Sequence, residues 1–143
     1  MIPYAVSLVS AEDLEIFKKI ERIIQEMPDI DFGEQKYKNG KKVLVSCHMI
    51  IRALARFFPL KLHDGFCGFC QHSWLTTESD NIIDAYPVGI IGGPILIPTK
   101  CSHPFVPLYE EKTLSFVNEA RFKKSVDIVA EVVRQTMIRI GIS

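Results

Sequence analysis

The chain has 143 residues, of which 48% are hydrophobic and 24% are charged, a composition typical of a globular protein and not of a disordered one. Its 17 Lys and Arg residues balance its 17 Asp and Glu residues, so the formal net charge is zero. A general nucleic-acid binder carries excess positive charge to neutralise phosphates, so this balance argues against nucleic acid as a partner. The length predicts a single domain over residues 1–143.

The sequence also argues against a membrane partner. The longest weakly polar stretch, residues 85–98, is too short to span a bilayer and is interrupted by prolines and glycines. The N-terminal residues lack the basic region of a signal peptide and soon reach Glu12 and Asp13. We therefore expect a cytoplasmic protein whose four cysteines stay reduced.

Three segments have the apolar spacing of three and four residues that predicts amphipathic helices. The first covers Ala11–Glu26 and begins after Ser10, whose side chain can cap it. The second begins after Ser46, another capping residue, and ends before Pro59. The third covers residues 118–140 and ends at a glycine, the residue that most often follows a helix C-terminus.

The middle of the chain has strand-like composition. Residues 71–77 and 82–86 are rich in β-branched and aromatic residues and are separated by a polar turn, which predicts an antiparallel hairpin. A short strand is expected at Ile95–Ile97, whereas His63 and Asp64 precede a glycine and predict a solvated turn. The order of helix, helix, strands and helix indicates the α+β class.

Cys47 is the first candidate for a catalytic residue. It follows Ser46 and therefore stands in the first turn of the second helix. There the unpaired backbone N–H groups and the helix dipole favour negative charge, and hence the nucleophilic thiolate. Taken alone, the residue is equally compatible with a small buried side chain that has no chemical role.

His72 and Asp84 are the candidates for the groups that would activate Cys47. Histidine is the usual base for a cysteine nucleophile, and a carboxylate in an apolar stretch such as that around Asp84 must be paired. In the predicted hairpin the two residues can be cross-strand neighbours, with one ring nitrogen on the carboxylate and the other facing Cys47. The alternatives are an unpartnered histidine at a strand edge and an exposed aspartate.

Within residues 46–87, a cysteine, a histidine and an aspartate occur in the same order as in a known enzyme family. Cys47 opens a helix, a strand over residues 60–65 then ends at a glycine, His72 is followed two residues later by Trp74, and Asp84 lies in an apolar strand with a proline shortly after it. This pattern resembles the transglutaminase-like group within the papain-like cysteine enzymes. The resemblance implies an α+β, papain-like core in which the nucleophile helix packs on a small antiparallel sheet, with further helices at the N- and C-terminal ends.

The resemblance implies acyl transfer, with Cys47 as nucleophile, His72 as general base and acid, and Asp84 as the residue that orients His72. A thioester would form from an amide or thioester substrate on a peptide, a protein or a small conjugate. Hydrolysis, as by a peptidase or amidase, is favoured over cross-linking because it needs no second amine site. The backbone N–H of Cys47 would be one donor of an oxyanion hole, and Gln35 is a candidate for the other. No cofactor is implied.

Cys67, Cys70, Cys101 and His103 form a rival constellation. Cys67 and Cys70 are a CxxC pair, and three cysteines with one histidine would suit tetrahedral zinc. On this interpretation the protein is a non-catalytic binding module stabilised by zinc. A family member that kept the fold and lost the activity is a further alternative. Structural thiols that bind no metal are the interpretation we favour for these cysteines.

Overall fold

The structure is a computed structural model that describes residues 9–28, 30, 45–85, 93–100 and 103–142. Within these residues the protein is α+β, with three α-helices and a five-stranded antiparallel sheet, and no helix is both long and apolar enough to cross a membrane. The elements are α1 (Ala11–Glu26), α2 (Cys47–Ala55), β1 (Lys61–Cys67), β2 (Cys70–Thr76), β3 (Ile82–Asp84), β4 (Ile95–Ile97), β5 (Tyr109–Glu111) and α3 (Ala120–Ile140).

Local capping sets the ends of the helices. The side chains of Ser10 and Ser46 each accept a hydrogen bond from a first-turn backbone N–H, at 3.1 and 3.3 Å, so the predicted starts of α1 and α2 are confirmed. Gly141 ends α3 with a φ of 77°, in the left-handed region that favours glycine. This helix starts slightly later than predicted because a short 3₁₀ helix occupies Ser115–Asn118.

The sheet has the strand order β4-β3-β2-β1-β5. The predicted hairpin is present as β2 and β3, with Leu75 opposite Ile83, and β4 is present as predicted. The sequence does not predict β5, which extends the sheet beside β1. Nor does it predict that Cys67 and Cys70 face each other where β1 turns back into β2.

The predicted solvated turn at His63 and Asp64 is wrong, whereas the strand that the resemblance implies over residues 60–65 is present as β1. Both residues lie within β1, which is hydrogen-bonded to β2 on one side and to β5 on the other. Gly65 follows them, and a Cβ at this position would stand 1.9 Å from the carbonyl oxygen of Glu110 in β5. The glycine therefore permits a close approach of two strands and does not mark a turn.

The two faces of the sheet are covered by different parts of the chain. One face contributes Leu75, Ile83 and Leu96 to a main core formed with all three α-helices. The other face forms a smaller apolar cluster with the segment that leads into β5. The sheet side chains in this second cluster are Trp74, Ile82, Ile95 and Ile97. Because successive strand residues point to opposite faces, neighbours such as His72 and Ser73 in β2 have different surroundings.

Candidate active site

Cys47 is the first residue of α2, where the sequence predicts it. Ser46 caps the helix, so the chain turns into α2 immediately before the thiol. The backbone N–H groups of a first helical turn have no partner from a preceding turn, and they favour negative charge at this position. The Cys47 side chain is a free thiol and is half-buried, so solvent can reach it.

His72 and Asp84 form a buried pair. Both side chains are fully buried, and Nε2 of His72 lies 2.7 Å from Oδ2 of Asp84. The register that places Leu75 opposite Ile83 places Asp84 diagonally from His72 on the same face of the sheet. The contact between these two side chains that the sequence predicts is therefore present.

The structure brings Cys47 together with this pair. Nε2 of His72 is engaged by Asp84, and Nδ1 is buried without a hydrogen-bond partner among the described residues, so Nδ1 is the atom available to the thiol. Burial raises the pKa of the Cys47 thiol, but interactions with His48 and His72 outweigh it and lower that pKa from 9.0 to about 6. Burial lowers the pKa of His72, but Asp84 and Cys47 raise it from 6.5 to about 9. Both shifts favour a thiolate beside an imidazolium at neutral pH.

Tyr109 also belongs to this cluster, although no pattern in the sequence predicts it. It is the first residue of β5, and its hydroxyl donates to Oδ2 of Asp84 at 2.6 Å. Burial and the charge of Asp84 raise the pKa of Tyr109, so its hydroxyl remains a donor. Its ring also packs edge-on against Trp74, with the ring centroids 5.1 Å apart. The same carboxylate oxygen is thus held by His72 and by Tyr109.

His48, the residue after Cys47, belongs to a second polar network. Its Nδ1 lies 2.7 Å from Oγ of Ser73, and that hydroxyl donates to Oδ1 of Asp64 at 2.6 Å. Arg52 donates to both oxygens of Asp64, at 2.9 and 2.6 Å. Burial raises the pKa of Asp64, but hydrogen bonds from Arg52 and Ser73 outweigh it and keep that pKa below its ordinary value. His48 and Arg52 are four residues apart on α2, and this spacing is the one sequence signal that places them on a common face.

The rival metal site is not assembled in the described part of the chain. Cys67 is buried and Cys70 is exposed, although they pair across the hairpin. His103 is buried, and its Nδ1 accepts a hydrogen bond from the backbone N–H two residues on, at 3.1 Å. No group of three or more His, Cys, Asp or Glu side chains among these residues could hold a metal ion. Cys101 and the predicted oxyanion donor Gln35 lie outside the described residues.

Comparison of the chain with protein-family models, with curated proteins and with solved structures found no match. The basis for a function is therefore the geometry of the cluster itself. That cluster combines a thiol at a helix N-terminus with a histidine that a buried carboxylate orients.

Proposed function

We propose that this protein is a cysteine-dependent acyl-transfer enzyme, a hydrolase of the peptidase or amidase type with a papain-like, transglutaminase-like core. One observation carries the proposal: Cys47 opens α2 beside His72, and the far ring nitrogen of His72 is bound by the buried Asp84. These three groups match a nucleophile, its base and the residue that orients the base. Each comes from a different regular element, which favours precise positioning.

The proposed reaction starts from the thiolate of Cys47. Its Sγ attacks the carbonyl carbon of an amide or thioester in a peptide, a protein or a small conjugate. The backbone N–H of Cys47, in the first turn of α2, donates to the oxygen that becomes negative in the transition state. The bond to the leaving group breaks, and a thioester on Cys47 remains. Water then attacks this thioester, releases the acid and restores the thiolate. A reducing, cytoplasmic compartment would keep Cys47 in the thiol form.

Asp84 and Tyr109 support this chemistry without touching the substrate. Asp84 binds Nε2 of His72, so it selects Nδ1 as the nitrogen that exchanges a proton with the thiol. Tyr109 donates to the same carboxylate and restricts its orientation. In the proposed enzyme both are positioning residues.

The reactivity of each cysteine towards iodoacetamide as a function of pH tests the proposal. Mass spectrometry of the peptides gives a separate rate for each thiol. We expect Cys47 to react with a midpoint near pH 6, well below the ordinary thiol pKa of 9.0. His72→Ala should move that midpoint upward, because it removes a group that lowers the pKa of Cys47. The exposed Cys70 is the reference thiol in the same sample.

Hydrolysis of p-nitrophenyl acetate supplies the matched test of activity. Cys47→Ala should abolish it, whereas Cys67→Ala should not, because Cys67 is not the nucleophile. The proposal is wrong if Cys47 is alkylated no earlier than Cys70 at every pH, or if Cys47→Ala and wild type hydrolyse the ester equally. The non-catalytic binding module then becomes the better interpretation, and bound zinc after purification without added metal would favour its zinc-stabilised form.

A further inference from the structure

Cys47 interacts with two histidines, and the proposed function uses only one of them. His72 is 0% exposed, whereas His48 is partly exposed. The leaving group departs into solvent, and the attacking water arrives from it. Of the two rings, His48 is therefore the one that both can reach.

The hydrogen bonds around His48 fix where its protons lie. The carboxylate of Asp64, paired with Arg52, can only accept, and the single proton of the Ser73 hydroxyl is donated to it. Towards His48 the Ser73 oxygen can then only accept, so Nδ1 of His48 carries a proton. Nε2 is left as the atom through which His48 takes up and releases a proton.

His48 and His72 are each oriented by a hydrogen bond to one ring nitrogen. Each ring has one nitrogen held by an oxygen of β2 or β3, from Ser73 in one case and from Asp84 in the other. Arg52 also donates to the backbone carbonyl of His48 at 3.3 Å, which ties the network to the first turn of α2. Burial raises the pKa of the Cys47 thiol, and hydrogen bonds with His48 and with His72 both oppose this effect.

Resting on the proposed function, we propose that the two histidines divide the proton transfers, with His72 holding the thiol proton and His48 exchanging protons with the leaving group and with water. As the C–S bond forms and the C–N bond of the amide breaks, the His48 imidazolium gives its Nε2 proton to the leaving nitrogen. Neutral His48 then takes a proton from water, whose oxygen bonds to the thioester carbon while the C–S bond breaks. The products are the amine and the carboxylic acid, and His48 is again protonated.

Hydrolysis of p-nitrophenyl acetate separates acylation of Cys47 from deacylation, because p-nitrophenolate leaves without needing a proton. An acylation burst followed by a slower, deacylation-limited rate is the expected wild-type time course. Measured above the alkylation midpoint of each variant, His48→Asn should retain the burst rate. Its steady rate should fall about 10²-fold or more, the usual effect of losing a general acid–base group. At neutral pH, by contrast, His72→Asn should lower the burst rate, because a smaller fraction of Cys47 is then thiolate.

Three controls separate catalysis from folding. His63→Asn removes a histidine of β1 that contacts Glu111 and Thr76, and both phases should keep their wild-type rates. Added imidazole should restore the steady rate of His48→Asn, because a free base can replace a missing one at a partly exposed position. Ser73→Ala keeps His48 but removes its oxygen partner, so it should lower the steady rate by a smaller factor and leave the burst unchanged.

The outcomes distinguish this inference from the proposed function. If both phases fall together in His48→Asn without rescue by imidazole, or if neither falls, the division of roles is wrong while acyl transfer by Cys47 stands. If wild type shows no burst and no acetyl group on Cys47, the proposed function fails as well. Should His48→Asn not fold, Ser73→Ala decides, and an unchanged steady rate in that variant refutes the role of His48.

Discussion

The proton shared by Cys47 and His72 determines how stability should depend on pH. The raised pKa of His72 contributes stability that is fully present below pH 6.5 and is lost as the pH rises through about 9. The lowered pKa of Cys47 contributes stability that is present above pH 9.0 and is lost as the pH falls through about 6. Between pH 6.5 and 9 the two trends have opposite signs.

A count of protons gives the magnitude. In this window the folded pair holds one proton, on His72, and the unfolded pair also holds one, on Cys47. Stability changes with pH only where the two states bind different numbers of protons, so the wild-type pair contributes no slope. Cys47→Ala removes the thiol from both states and also removes one of the two groups that raise the pKa of His72, so only the part of the rise that is due to Asp84 remains. The folded variant then holds the extra proton, and its free energy of unfolding should fall by up to about 1.4 kcal/mol per pH unit.

Urea unfolding of wild type and Cys47→Ala across this pH window measures the effect. The difference between the two free-energy curves cancels the titration of groups that do not interact with Cys47. We expect this difference to grow by about 2 kcal/mol from pH 6.5 to pH 9, less than the roughly 3 kcal/mol that the full rise in the pKa of His72 would give, because Cys47 supplies part of that rise. Cys70→Ala removes an exposed thiol outside the cluster, and its curve should run parallel to that of wild type. If the curves of Cys47→Ala and wild type are also parallel, Cys47 and His72 do not share a proton and the ion pair is refuted.

Two further substitutions test contacts that hold the site in place. Tyr109→Phe removes the hydroxyl that donates to Asp84 at 2.6 Å. The free energy of unfolding, measured in urea, should fall by about 1.5–3 kcal/mol. An unchanged free energy would show that this hydrogen bond does not stabilise the site. Asp13→Ala removes the carboxylate that binds Thr77 and Asn81 at 2.7 and 2.8 Å, leaving two buried donors without it. The free energy of unfolding, measured by thermal unfolding, should therefore fall by about 2–4 kcal/mol. A decrease no larger than that of a surface substitution would show that these two hydrogen bonds do not stabilise the fold.

The parts of the fold that could be predicted have local signals. A capping serine before an amphipathic segment is enough to place the starts of α1 and α2, and with α2 the position of Cys47. The β2–β3 hairpin has its turn and both strands within a short stretch, so its register brings Asp84 to His72. These features place the three predicted site residues without knowledge of the remaining chain.

The other parts depend on partners that are distant in sequence. Tyr109 lies in a three-residue strand, too short for a detectable period, and is 25 residues from the carboxylate that it binds. His63 and Asp64 precede a glycine and resemble a turn in sequence, but they lie in a strand where Arg52 on α2 pairs with Asp64. His48 gains a role only when the register places Ser73 beside it. Local patterns do not contain such pairings.

The buried charges around Cys47 bear on whether it is structural or catalytic. Asp84 is fully buried, at the edge of a cluster otherwise built from Trp74, Ile82, Ile95 and Ile97. Replacing a buried ion pair by well-packed apolar residues is often neutral or stabilising, so stability alone does not require a charged pair here. A second carboxylate, Asp64, is linked through Ser73 to the other histidine that interacts with the same thiol. A cysteine with a purely structural role needs no histidine beside its thiol. A nucleophilic cysteine at a helix N-terminus does need an oriented base, and here two oriented histidines interact with it.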